Sequence, residues 1–114
     1  TAHFTGLSVI LALNYGGRDE IVRAVRKITE KHIPISEITE ATIHDHLDNP
    51  DVPDPDLIIR TAGEQRSSNF LLWESAYSEF YFSDKLWPDW DAADLELAIK
   101  SFQKRKRRFG GITT

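Results

Sequence analysis

The sequence predicts an α/β fold in which a parallel sheet is flanked by helices. Three observations carry that prediction. Short, nearly continuous apolar runs recur at 7–13, 57–60 and 79–82; turn or polar residues close the first two; and helical periodicity follows each of those loops. Runs without polar alternation suit strands covered on both faces, as in parallel sheets. The repeated order of strand, loop and helix is the unit from which α/β folds are built.

The first run, 7–13, reads LSVILAL and is broken by the turn residues Asn14, Tyr15, Gly16 and Gly17. A helix over 18–32 follows. Ile21, Val22, Val25 and Ile28 share one face, while acids lead and bases trail, as the helix dipole favours. A shorter helix spans 40–47, with Thr39 as its cap and Ile38 and Ile43 at the spacing of a hydrophobic staple. His44 and His46 flank Asp45 and invite a metal reading. Two residues apart on a helix, they point in different directions and read as surface residues. Segment 49–56 holds three prolines and reads as a connecting loop.

The chemistry concentrates in DLIIRTAGEQRSSNFLLWESAYSE, 56–79. Leu57, Ile58 and Ile59 form a buried strand with Arg60 at its end. The loop 61–67 brings a glycine, Glu64 and a second arginine, Arg66. Ser67, Ser68 and Asn69 offer caps to an apolar helix over 70–77. Helix N-termini favour phosphate, and arginine adds forked, permanently charged donors that match phosphate oxygens. The blander alternative pairs Arg60 with Glu64 and leaves the serines as caps alone. For any one residue that alternative wins. For all of them together, at the carboxyl end of a strand where open sheets place ligands, a diphosphate cradle wins.

The third strand, 79–82, starts with the acid Glu79. An aromatic turn, Trp87-Pro88-Asp89-Trp90, precedes the last helix. Asp91 caps it, Asp94 stands at its third position, and Leu95, Ala98, Ile99 and Phe102 make its apolar stripe. Gly110 is placed just beyond its end.

Composition narrows the function classes. The 114 residues and a net charge of −4 suit one domain or part of one. Six of the 14 basic residues fall between Lys100 and Arg108, leaving eight bases against 18 acids elsewhere, a net −10. That asymmetry points to a local anionic partner; a nucleic-acid surface would need a basic chain with interleaved aromatics. Cysteine is absent, which excludes thiol nucleophiles, disulfides and cysteine metal sites, and accords with a reducing cytoplasm. No apolar run approaches the roughly 18 residues of a membrane span, and no signal peptide is visible. Methionine is missing even at position 1, the expectation for a fragment or a processed product.

NYGGRDEI at 14–21, the whole of 56–79, YFSDKLWPDW at 81–90 and RRFGG at 107–111 together resemble the cis-prenyltransferases, the undecaprenyl (di-trans,poly-cis) diphosphate synthase family. The DDxxD motifs of the all-helical trans-prenyltransferases are absent. Ala62 departs from the family's usual glycine or serine, and Glu74 stands where glutamine is common. The family's HGNGRWA-like loop with the catalytic aspartate has no counterpart. The resemblance therefore covers residues 1–114 as the C-terminal portion of one domain, with no catalytic residue of its own.

The resemblance implies that Arg60, Arg66 and Ser68 hold the diphosphate of isopentenyl diphosphate, with Glu64 ordering the arginines. It implies that Glu79 helps to hold Mg²⁺ together with the aspartate of the loop that has no counterpart here. Arg108 and Gly110 belong to a C-terminal RxG motif that completes the active site across a homodimer interface. The resemblance also implies an allylic prenyl diphosphate, such as farnesyl diphosphate, as the second substrate, while the choice of primer stays open. It implies a cis-polyprenyl product that partitions to the membrane from a cytoplasmic or peripheral enzyme. A catalytically silent partner subunit is the alternative within the family; such subunits tend to lose the central arginine motif, which is intact here. A nucleic-acid-binding module ranks last.

Overall fold

The computed structural model describes His3 and residues 5–105. Its order is helix α1 (Gly17–Glu30), α2 (Glu40–His44), strand β1 (Leu57–Arg60), β2 (Glu79–Phe82) and helix α3 (Ala92–Gln103), with single 3-10 turns at Ile35–Glu37 and Trp87–Asp89. The strands run parallel, in a register that sets Leu57 opposite Glu79 and Arg60 opposite Phe82. Alternate β2 side chains share a face, and Phe80 stacks on Phe82 at 5.8 Å. The expected α/β architecture is present, and both strands lie where the apolar runs placed them. Three of the four β2 residues and all of β1 are half-buried, short of the full cover expected.

The run 7–13 departs from expectation. It joins no ladder, and Leu7, Val9, Leu11 and Leu13 are between 73% and 92% exposed. A strand is defined by its hydrogen-bonded neighbour. Among the described residues the sheet consists of β1 and β2 alone, so this apolar segment has no partner.

Helix α1 forms, but its buried stripe is Gly17, Glu20, Ala24 and Ile28, leaving Val22 and Val25 about half exposed. Two small residues allow close approach on that face, and hydrogen bonds to both carboxylate oxygens let Glu20 be buried with them. His32, at φ 55, ends the helix in a Schellman motif. Its N–H donates to the Thr29 carbonyl, and the Ile33 N–H to that of Ile28.

Thr39 caps α2 in a reciprocal box with Thr42, as its position predicts. The helix stops at His44, short of Leu47, because the chain tightens into three-residue turns from Ile43 to Leu47. His46 is buried, contrary to the surface reading. Its Nδ1 lies 2.7 Å from the Thr42 carbonyl and its Nε2 3.1 Å from Lys31 Nζ. His44 is half-buried, beside the Pro50 carbonyl. The histidines thus hold local structure.

The expected helix over 70–77 is replaced by a succession of turns. Ser68, Asn69 and Leu71 have φ of 49, 67 and 47, a left-handed backbone that cannot start an α-helix. At α3 the prediction holds: Asp91 accepts from the Ala93 and Asp94 N–H groups, and Asp94 accepts in return from Asp91 N–H. The helix ends at Gln103; Gly110, expected to terminate it, lies outside the described residues. Ala24, Ile28, Leu47 and Ala98 are the buried apolar side chains, a thin core between α1 and α2 and under α3.

Candidate diphosphate site

The loop after β1 is stitched to the exit of β2. Ser83 N–H donates to the Arg60 carbonyl, Gly63 N–H to that of Ser83, and Ala62 N–H to that of Lys85, all at 2.8–2.9 Å. Ala62 and Gly63 are both left-handed, at φ 66 and 70. A glycine is at ease there, whereas Ala62 carries a cost of about 1–2 kcal/mol. The loop so anchored turns residues 64–68 back over the end of β1.

Arg60 extends from the last residue of that strand. Its Nη1 donates to the Arg66 carbonyl at 2.5 Å and to the Ser68 hydroxyl at 3.0 Å. Arg66 projects outward and forms an ion pair with Glu64. The structure therefore brings Arg60, Glu64, Arg66 and Ser68 together, and Glu64 orders Arg66 and not Arg60. Beside them lies a cavity of about 260 Å³, lined by Arg60, Arg66 and Ser67 at its polar side and by Ile58, Phe70 and Phe80 at its apolar side. Two guanidinium groups and a hydroxyl can grip an anionic head while the aromatic wall takes a short hydrocarbon.

No helix begins at Ser67–Asn69, so the dipole expected behind the cradle does not come from there. The nearby helix N-terminus is that of α1, and Asn69 covers it. The Asn69 carbonyl accepts from Gly17 N–H at 2.7 Å, and its Oδ1 accepts from Arg18 N–H at 3.0 Å. The local cap position, Gly16, has no side chain for the task. Close approach requires glycine at 17, where a Cβ would stand 2.9 Å from Leu72 N; at 16 a Cβ would stand 2.8 Å from the Asn69 side-chain Nδ2 and would have to displace it.

Behind this junction sits a cluster that sequence reasoning missed. Tyr15 donates its phenol proton to the buried Glu20, whose other oxygen takes the Asp48 N–H at 3.1 Å. Tyr15 also meets Phe70 edge-on, ring centres 5.7 Å apart. Glu74 turns a buried Oε2 into this region with no hydrogen-bond partner. Burial, and then the charge of Glu20, raise the Glu74 carboxyl above its ordinary range. Burial and the bond to Glu20 likewise push the Tyr15 phenol up. The one available signal was Gly-Gly opening a helix without a capping side chain, which calls for a cap from elsewhere.

Glu79 lies apart. It opens β2 and pairs in register with Leu57, so it stands at the amino end of the sheet, three residues (~10 Å) from the carboxyl end that bears Arg60. Arg105 Nη1 holds its Oε2 at 2.7 Å. Mg²⁺ is commonly held by one or two carboxylates together with substrate phosphates and water, so Glu79 can supply one ligand once released from Arg105. Among the described residues no group of three metal-ligating side chains occurs. Glu79 offers one carboxylate of the pair that the resemblance implies for Mg²⁺, and the other lies on the loop without a counterpart in this sequence. Arg108 and Gly110 lie outside the described residues.

A pair of arginines at the carboxyl end of a parallel α/β sheet, with an apolar wall beside it, makes a candidate site for an anionic ligand in an α/β protein. The sequence model of the prenyltransferase family of undecaprenyl diphosphate synthases matches residues 1–110, and the chain belongs to that family. An isoprenyl transferase of Thermotoga maritima is 56% identical over 114 residues, covering 98% of this chain and 49% of that protein. The Micrococcus luteus ditrans,polycis-undecaprenyl-diphosphate synthase, named as specific for (2E,6E)-farnesyl diphosphate, is 48% identical over 98% of this chain and 47% of its own length. Among solved structures, lavandulyl diphosphate synthase of Lavandula x intermedia, in complex with dimethylallyl diphosphate, superposes with a TM-score of 0.79. It shares 46% identity over 84% of this chain and 43% of that one. The chain spans about half the length of the relatives it matches. No helix among the described residues is long and apolar enough to cross a membrane.

Proposed function

We propose that this chain forms the isopentenyl diphosphate side of a cis-prenyltransferase. Such an enzyme joins isopentenyl diphosphate to an allylic diphosphate: the alkene of one attacks C1 of the other, diphosphate leaves, and a proton is lost to restore the double bond. The observation that carries the reading is that Arg60 reaches the Ser68 hydroxyl and the Arg66 carbonyl beside a cavity that Arg60, Arg66 and Ser67 line together with an apolar wall. Arg66 binds the diphosphate through its exposed guanidinium, Arg60 and Ser68 set the polar floor, and Glu64 holds Arg66 ready between turnovers. Preplaced donors of this kind stabilise anionic groups without reorganising during reaction. The Mg²⁺ of the family resemblance would neutralise diphosphate charge, but the residues described here do not by themselves make its site.

Residues 1–114 act in this proposal as the C-terminal portion of a single catalytic domain. The intact arginine pair favours the catalytic type over a silent partner subunit. Farnesyl diphosphate is the proposed allylic substrate and a cis-polyprenyl diphosphate of the undecaprenyl class the product, a glycan-carrier precursor that partitions to membranes. The active form is a homodimer completed by the tail with Arg108 and Gly110; sedimentation of the active enzyme that shows only monomer rejects it.

The clamp itself is tested by binding. Arg66→Ala should weaken isopentenyl diphosphate binding about ten- to hundredfold, the loss of one charge-assisted interaction of roughly 1.5–3 kcal/mol. Arg66→Lys should recover only part, because the fork is lost. Calorimetry showing an unchanged affinity in the alanine variant removes Arg66 from the site.

A further inference from the structure

We propose that Asn69 is a positioning residue for the diphosphate clamp, fastening it to the N-terminus of α1; this rests on the diphosphate reading above. Asn69 is not among the residues that line the cavity beside the clamp. It uses its backbone carbonyl and its side-chain Oδ1 to accept the Gly17 and Arg18 N–H groups, across 51 positions of sequence in the case of Arg18. The residue before it is Ser68, whose hydroxyl receives Arg60. Both Ser68 and Asn69 are left-handed, at φ 49 and 67, a pair of conformations the free chain avoids and asparagine tolerates better than most residues. Two bonds to a rigid helix end therefore fix where the Ser68 hydroxyl stands, and with it the Arg60 guanidinium.

The glycine at position 16 belongs to the same device. Its missing side chain is the space in which the Asn69 amide lies, since a Cβ there would come within 2.8 Å of Nδ2. With Asn69 pinned at two points, that amide cannot swing aside without giving up its bond to Arg18. Position 16 thus controls the clamp from outside it. Phe70 continues the coupling, its ring against Tyr15 just before the glycines.

The consequence is specificity for a diphosphate over a monophosphate. A diphosphate spans more than one donor, so it needs Arg60, Arg66 and Ser68 at fixed separations; a monophosphate can be held by Arg66 alone. Loosening the loop should cost the first ligand more than the second.

The test is equilibrium dialysis of the 114-residue chain with isopentenyl diphosphate and isopentenyl monophosphate, read as the ratio of the two affinities. A variant that is partly unfolded loses both affinities alike, so the ratio reports the clamp and not stability. Asn69→Gly keeps the left-handed backbone and loses only the Oδ1 bond. Gly16→Ala changes no clamp residue and displaces Asn69. Both should lower the diphosphate preference about three- to tenfold. A ratio within about twofold of the parent in both variants overturns the positioning role. If the parent chain shows no preference at all and Arg66→Ala changes nothing, the diphosphate reading itself has failed, a separate outcome from failure of Asn69.

Discussion

Glu74 shows most clearly how far a single residue depends on its surroundings. It occupies a position where the family commonly has glutamine, and its buried Oε2 has no hydrogen-bond partner. Burial, then Glu20, favour the protonated carboxyl, which is neutral and can donate a hydrogen bond as an amide does. The sign of the pH effect follows. With the folded pKa raised above the unfolded value of about 4.5, the contribution to stability is full below that value. It is lost as the pH rises through the folded pKa. Glu74→Gln should remove this decline, so the variant gains on the parent as the pH rises above 4.5 and matches it in acid. Urea midpoints across that range that fall in parallel for both proteins would show that Glu74 is ionised when folded. The arginines of the clamp were legible in the sequence because their signal is local: a strand end, a short polar loop, two guanidinium groups six positions apart. The role of Asn69 was not, because its partners lie some fifty positions away. Glu20, Tyr15 and Glu74 likewise meet only through the tertiary fold.

At the level of elements, capped helices were readable and the uncapped segment was not. Thr39 and Asp91 bond N–H groups two or three residues on, so their neighbours in sequence are their neighbours in space. Residues 70–77 carry the same apolar density as a helix, but left-handed residues at 68, 69 and 71 bar it. That conformation accompanies the bonds from Asn69 to α1 and from Arg60 to Ser68, information that no window of the sequence contains. The strand pair carries a second lesson. Glu79 and Arg60 lie at opposite ends of parallel neighbours, a separation that their places in the sequence do not show. The contact Glu79 does make, with Arg105, joins the start of β2 to the residue just past the end of α3. Both side chains are partly exposed, so the pair should couple by about 0.2–1 kcal/mol in a double-mutant cycle of Glu79→Gln and Arg105→Gln. The coupling should fade in high salt. Strict additivity at low salt would mean that the two ends are held by packing alone.

At the scale of the whole molecule, the apolar surface exceeds what the described residues cover. Leu7, Val9, Leu11 and Leu13 stand exposed in a segment whose composition asks for a place inside a sheet, and two strands are too few to shelter it. The half-buried strand faces and the exposed Trp87 and Leu97 repeat the same imbalance. Apolar strands without neighbours pair with other chains. The chemistry is equally one-sided, since the proposed clamp takes one diphosphate and prenyl transfer needs a second diphosphate site and a path for the growing hydrocarbon. We therefore predict that residues 1–114 alone bind isopentenyl diphosphate but give little transferase turnover with farnesyl diphosphate and Mg²⁺, and that they self-associate. Co-expression with a second chain carrying the amino-terminal half of a relative, such as the Thermotoga maritima transferase, should supply the missing sheet neighbours. Light scattering should then show a defined particle, and radiolabelled isopentenyl diphosphate should enter a long-chain product. Amide exchange at 7–13 should slow in the same preparation, because a ladder would protect N–H groups that are now unpaired. A monodisperse chain that turns over unaided would overturn this account.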